Sequence, residues 1–240
     1  MMVSGERGGD ARFDRTEAQE MEIKGLKDDD GQGDSMLSQL FKAIDLSALQ
    51  YRSSKEIVGR AFEVYFTGEA SIDDGGPYRE SYDNVCGDIQ KPDLLPLTLE
   101  TENKLNLHGD SRECFILNHN STKKHHEKMF KQLGWLLGYG IKNEFPMPLD
   151  FPPFFWKQII GEIAQVRERD LADVDIYKSQ MLQEIKRSAA DLSEEEFDAM
   201  YEDYTFVTDV SKSQTVSLIP GGERIKLTKA NHEEYIRLVL

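Results

Sequence analysis

Cysteine is scarce in this 240-residue chain, which holds only Cys86 and Cys114. Two thiols are too few for a disulfide framework and suit a reducing compartment. Long apolar runs are also missing, since none approaches the roughly 20 residues that span a bilayer. Nor does the N-terminus show the basic, apolar and small-residue succession of a secretory signal. These absences lead us to expect a cytoplasmic protein. Positive charge is short as well: 29 Lys and Arg stand against 44 Asp and Glu, for a formal net charge of −15. A field of that sign repels phosphate backbones and anionic lipid, so neither nucleic acid nor a membrane is expected as a partner. What is present is ordinary for a globular protein, with 39% hydrophobic and 10% aromatic residues in a length that suits one or two domains.

Residues 1–34 are poor in apolar side chains and end in "KDDDGQGD". Such a segment buries too little surface to offset its ordering entropy, which predicts an acidic flexible tail, dispensable for stability. From Ser35 the pattern changes. "SMLSQLFKAI" puts Leu37, Leu40, Phe41 and Ile44 on one helical face, and "AFEVYF" alternates Phe62, Val64 and Phe66 as a strand. "ESYDNVCGDI" reads as a helix and "ECFILN" as a strand. The strongest helix is "HHEKMFKQLGWLLGYGIKN", with Met129, Leu133, Leu136, Leu137 and Ile141 at spacings of three and four. Its Gly134 and Gly138 would let another element approach closely. "FPMPLDFPPFFW" is a proline-punctuated turn feeding a helix near Phe154, and a further helix is expected over 176–188.

Ser193 with Glu196 forms a capping box, and Asn231 with Glu234 offers another helix start. "SLIPGGERIKL" reads as a hairpin whose turn Pro220 pre-sets and Gly221 or Gly222 completes. The last helix, "NHEEYIRLVL", carries no stop signal, so a fragment of a longer protein is expected.

"GEASIDDGGPYRE", residues 68–80, is the densest motif. Calcium is excluded because Asp73 and Asp74 are adjacent, without oxygen ligands at alternate positions. A phosphate cradle needs Gly-Lys-Ser/Thr where Pro77 and Tyr78 stand. Turn chemistry accounts for the remainder, since Gly, Asp and Pro mark turns.

The serial order of these features resembles the N-terminal lobe of HECT-type ubiquitin ligases. The matching run is "FEVYFTGE", "IDDGGPYRE", "HHEKMFKQLGWLLGYGIKNEFPMPLDFPPFFWKQIIG", "RERDLADVDIYKSQML", "DYTFV" and "PGGERIKLTKANHEEYIRL". It covers about Ser35 to Leu240, and "GGPYRE" with Trp156-Lys157 leans toward the large HERC-like members. The resemblance implies an α+β, mostly helical fold. It would divide into a large subdomain over 35–170 and a partial small subdomain over 171–240 that docks a ubiquitin-conjugating enzyme. The full-length family members pass ubiquitin through a cysteine thioester in a C-terminal lobe to a substrate lysine. The motif carrying that cysteine is absent here, and Cys86 and Cys114 match the catalytic position in neither case, so no catalytic residue is expected in this stretch. No cofactor or metal is implied.

Matching the groove segments selects Tyr177, Met181, Met200, Tyr204 and Tyr235 as partner-binding residues. Large apolar and aromatic side chains are what a hot-spot pocket needs, and equally what a core needs. Glu202 departs from the pattern, falling near a position that is usually apolar. Two other functions compete. One is a Cys–His hydrolase or transferase using Cys114 with His108, His119, His125 or His126, for which no flanking signature stands. The other is an acidic protein-interaction scaffold without ligase activity.

Overall fold

Apolar residues repeating at spacings of three and four set most of this chain into helices. The computed structural model describes residues 10–45, 62–69, 76–142, 144–161, 167–211 and 214–240. The first half runs β1 (Asp10–Phe13), α1 (Arg15–Ile23), α2 (Met36–Ala43), β2 (Glu63–Phe66), α3 (Gly76–Ile89), β3 (Thr98–Glu100), α4 (Glu102–Asn106), β4 (Phe115–Leu117) and α5 (Lys124–Lys142). The second half runs α6 (Pro153–Ile159), α7 (Glu168–Ala172), α8 (Ile176–Asp191), α9 (Glu194–Met200), β5 (Val207–Ser211), β6 (Gln214–Ser217), a 3-10 turn (Gly222–Arg224) and α10 (His232–Val239). Strands among the described residues pair only two by two, so the fold is α+β and mostly helical. No described helix is long and apolar enough to cross a membrane.

Backbone contacts divide the chain into two units, residues 1–100 with 115–151 and residues 101–114 with 152–240. The position expected for the subdomain boundary, 170/171, falls within α7.

In the first unit β1 pairs parallel with β2, Asp10 opposite Glu63 and Phe13 opposite Phe66. Phe62, Val64 and Phe66 are buried, as their alternation predicts. The N-terminal segment overturns its expectation: residues 10–34 are part of the fold and not a tail. Ala11 and Phe13 point inward along β1, and the Phe13 ring lies 5.9 Å from that of Phe66. Asp14 caps α1 by accepting from the amides of Thr16 and Glu17. The buried Asp28 accepts from the Gly33 amide at 2.8 Å and the Ser35 hydroxyl at 2.5 Å, while its own amide donates to the Leu94 carbonyl. Composition misleads there because few apolar residues suffice when backbone pairing and one satisfied carboxylate hold the segment.

The "GPYRE" end of the dense motif, from Gly76, opens α3, and residues 70–75 of that motif lie outside the described residues. Tyr78 turns inward. Its hydroxyl is 2.7 Å from that of Tyr139, and its ring is 5.1 Å from Phe62. Along α5, Met129, Leu133, Leu136 and Leu137 are buried as the spacing predicts, but Ile141 is 64% exposed. Gly134 and Gly138 face open space, so the expected close approach is absent there. It occurs at Gly140, where a Cβ would stand 2.6 Å from the Met147 methyl.

At the far end of α3, Asp88 is buried and accepts from the Met36 amide at 2.6 Å, holding the first turn of α2. Burial pushes its carboxyl from 3.8 up to about 6, while Lys91 and the Met36 and Leu37 amides pull the other way. Between those values the folded chain keeps a proton that the unfolded chain has released. Stability should therefore fall as pH rises from about 4 to about 6, by roughly 2–3 kcal/mol for a shift of two units. Asp88→Asn keeps the acceptor for Met36 and removes the charge. Denaturant melts across this range should show the wild-type decline and a flatter profile in the variant.

The folded N-terminal segment makes a second prediction. Phe13→Ala should lower stability by about 3–5 kcal/mol, the cost of truncating a fully buried aromatic. A thermal melt unchanged by this substitution would return residues 10–34 to the status of a tail.

Candidate functional site

The site is built within the second unit around one apolar cluster, and the sequence of α8 shows how. Asp175 caps the helix by accepting from the Lys178 amide at 2.9 Å. Ser179, Leu182, Ile185, Ser188 and Ala189 then form its buried face. Leu182, Ile185 and Ala189 pack in one cluster with Phe197, Tyr201, Phe206, Leu227, Tyr235 and Ile236. The predicted capping box of α9 is present: Ser193 Oγ accepts from the Glu196 amide, and the Glu196 carboxylate accepts from the Ser193 amide. That start aims Phe197 into the cluster, fully buried, with its ring 4.6 Å from Tyr201.

Downstream, the chain makes a different hairpin from the one expected. β5 and β6 pair antiparallel, Val207 opposite Ser217. "PGGER" closes a single bridge between Thr205 and Lys226 through the 3-10 turn. Gly221 does take positive φ, at 75°. Gly222 is required for a different reason, because a Cβ there would lie 2.3 Å from the Phe206 carbonyl oxygen. α10 begins where predicted, yet Asn231 does not cap it; its carboxamide oxygen accepts from the Thr228 amide instead.

The five predicted partner-binding residues separate into four groups. Met200 is 59% exposed and Tyr204 39% exposed, at the end of α9 and in the segment after it. Tyr204 stands edge-on to Tyr201 at 5.4 Å, and the Tyr201 hydroxyl donates to Ser188 Oγ at 3.1 Å. Two apolar side chains are thus held outward on a buried base. Met181 is half-buried and packs on the same cluster. Tyr177, 53% exposed, lies in the first turn of α8 and stacks on His108, centroids 5.1 Å apart and planes 13° from parallel.

Tyr235 takes the core alternative of the two that its residue type left open. It is 3% exposed and belongs to the core, edge-on to Phe206 at 5.6 Å, with its hydroxyl donating to the Val207 carbonyl at 3.4 Å. Burial first, then Tyr204 and Asp209, push its phenol above the ordinary value. Position on the helix decides the matter, because Tyr235 and Ile236 form the inward face of α10. Glu202, the departure from the family pattern, is exposed.

Sequence reasoning missed Asn103, which organises the entry to α8. The buried side chain of Asn103 donates to the Ala172 carbonyl at 2.7 Å and accepts from the Ile176 amide at 2.8 Å. The first Asn of "TENKLN" carries no signal of partners about 70 residues away.

The thiol chemistry can be placed too. Cys86 is buried in α3, and burial first, then Asp83, pushes its thiol up to about 12. His108 stacks on Tyr177, and His125 and His126 face Asp29, so three of the four imidazoles considered for a Cys114 nucleophile are engaged elsewhere. A shift from 9 to 12 cuts the thiolate fraction at neutral pH about a thousandfold. Cys86 should therefore resist alkylation in the native protein and label at once in denaturant, as intact mass would read. Rapid native labelling at Cys86 would contradict this placement.

The sequence model of the HECT-domain (ubiquitin-transferase) family matches residues 93–240. The chain is 33% identical over 181 residues to the E3 ubiquitin-protein ligase HERC2 of Mus musculus, covering 75% of this chain and 4% of that protein. It is 25% identical over 193 residues to the E3 ubiquitin-protein ligase TOM1 of Saccharomyces cerevisiae, covering 80% of this chain and 6% of that protein. A probable E3 ubiquitin-protein ligase of Homo sapiens, HECTD4, is 34% identical over 116 residues, 48% of this chain and 3% of that one. The chain thus spans only a few per cent of the length of these relatives.

Proposed function

The chain belongs to the HECT-domain (ubiquitin-transferase) family, and on that premise we propose that its second unit docks a ubiquitin-conjugating enzyme. The full-length protein would then pass ubiquitin through a cysteine thioester in a C-terminal lobe to a substrate lysine. In this reading 35–170 serves as the large subdomain of the N-terminal lobe and 171–240 as the small one. The protein acts in the cytoplasm, where its low cysteine content is at home.

One observation carries the docking reading: Met200 and Tyr204 stand exposed over a buried cluster that fixes their base. Apolar side chains on a rigid support lose little entropy when a partner covers them, which is the character of a hot spot. Met181, half-buried on the same cluster, and the exposed Tyr177 in the first turn of α8 are the further candidates on this unit. Tyr235 supports the surface from beneath. The acidic scaffold reading needs no such surface.

Titration with a panel of conjugating enzymes tests the proposal. Met200→Ala and Tyr204→Ala should each weaken binding by about 1–2 kcal/mol, roughly tenfold, without lowering the melting temperature. Tyr235→Ala should chiefly destabilise the fold, by about 3–5 kcal/mol for a buried aromatic. Binding that survives both surface substitutions at full strength would remove the docking surface from this face. No binding to any member of the panel would favour the scaffold.

A further inference from the structure

In the first unit, two adjacent imidazoles converge on one loop carboxylate. His125 and His126 lie in the first turn of α5, their rings perpendicular with centroids 4.4 Å apart. His126 Nε2 is 3.0 Å from Asp29 Oδ1, and His125 Nε2 is 3.2 Å from Asp29 Oδ2. One ligating atom from each of the three residues fits within 4.8 Å of the others. The Lys123 ammonium also reaches Oδ2, at 2.9 Å. Lys123 first, with the two rings adding, holds the Asp29 carboxyl well below the usual carboxylate range.

We propose that Asp29, His125 and His126 form a binding site for a zinc-like divalent cation, with water completing its shell. A tetrahedral ion with bonds of about 2.0–2.1 Å sets its ligand atoms about 3.3 Å apart. His126 Nε2 stands near that distance from Asp29 Oδ1 and His125 Nε2 near it from Oδ2, so a turn of the half-exposed carboxylate brings one oxygen to both rings. Two imidazoles with one carboxylate select zinc and its neighbours over calcium and magnesium, which favour shells of oxygen. The ion takes the Nε2 lone pair of each ring, leaving the ring proton on Nδ1. It also displaces Lys123, whose exposed side chain can turn to solvent.

His126 is buried, which fixes the direction of its Nε2 toward Asp29. Its Nδ1 has no hydrogen-bond partner among the described residues. Metal-binding imidazoles ordinarily anchor that second nitrogen, and losing such an anchor costs about 10–100-fold in affinity. The site therefore binds more weakly than one whose second nitrogen is anchored. Occupancy ties the loop at Asp29 to α5 and stabilises the folded unit by mass action.

The test uses the chain without a histidine tag. Zinc chloride should raise the melting temperature while magnesium and calcium chloride leave it unchanged, and cobalt should give the visible absorption of a tetrahedral ion. Calorimetric zinc titration should show affinity at least tenfold weaker in His125→Ala and in Asp29→Asn. Both positions are partly exposed, so these variants should keep the wild-type circular dichroism spectrum. Equal zinc affinity in the wild type and both folded variants, or no zinc binding at millimolar concentration, overturns the proposal.

Discussion

The backbone of Phe206 is the joint on which the second unit depends. Its amide is shared between the carbonyls of Gly222 and Ile225, both at 3.0 Å, and its carbonyl accepts from the Leu218 amide at 2.9 Å. Its side chain is buried against Tyr235. One residue thereby ties the β5–β6 hairpin, the "PGGER" turn and α10 to the cluster beneath the proposed docking surface. The arrangement requires the missing Cβ of Gly222, since any side chain there would collide with the Phe206 carbonyl. A cluster pinned in this way through backbone atoms tolerates little relaxation, so its apolar side chains hold one geometry.

Carboxylates with internal partners organise the first unit in a comparable way. Asp28 and Asp88 are both buried, and each closes around backbone amides at a chain reversal or a helix start. Asp88 and the neighbouring Asp29 differ in consequence. Asp88 is pushed up toward neutrality by burial, so its contribution changes across mildly acidic pH. Asp29, one residue beyond Asp28, instead meets a lysine and two imidazoles and stays ionised. Placement relative to cations and burial, not residue type, separates the two behaviours.

Most helices of this fold are legible in the sequence because their information is local. The faces of α2, α5 and α8 follow the spacing of their apolar residues, and the capping box at Ser193 forms as written. The family is legible from the order of motifs, although none alone would suffice. What escapes is non-local. Few apolar residues precede Ser35, and the partners that order residues 10–34 include β2 and Leu94, far along the chain. The adjacent histidines look solvated in sequence, because Asp29 lies 96 and 97 residues before them. Asn103 and Gly140 carry constraints set by residues that no local window links to them.

The candidate docking residues show where sequence matching stops and packing begins. Tyr204 and Tyr235 are the same residue type, and the family resemblance selects both for the same expected groove. Yet Tyr204 leaves α9 after its last turn and stays outside, whereas Tyr235 sits on the inward face of α10. A helix end releases side chains to solvent, while a helix face packed on a cluster does not. In the proposed docking the two tyrosines play complementary parts, with Tyr204 offering area to a partner and Tyr235 keeping rigid the wall behind it. A surface of this kind gains affinity through preorganisation more than through size, since the entropy of ordering its side chains is already lost in the free protein.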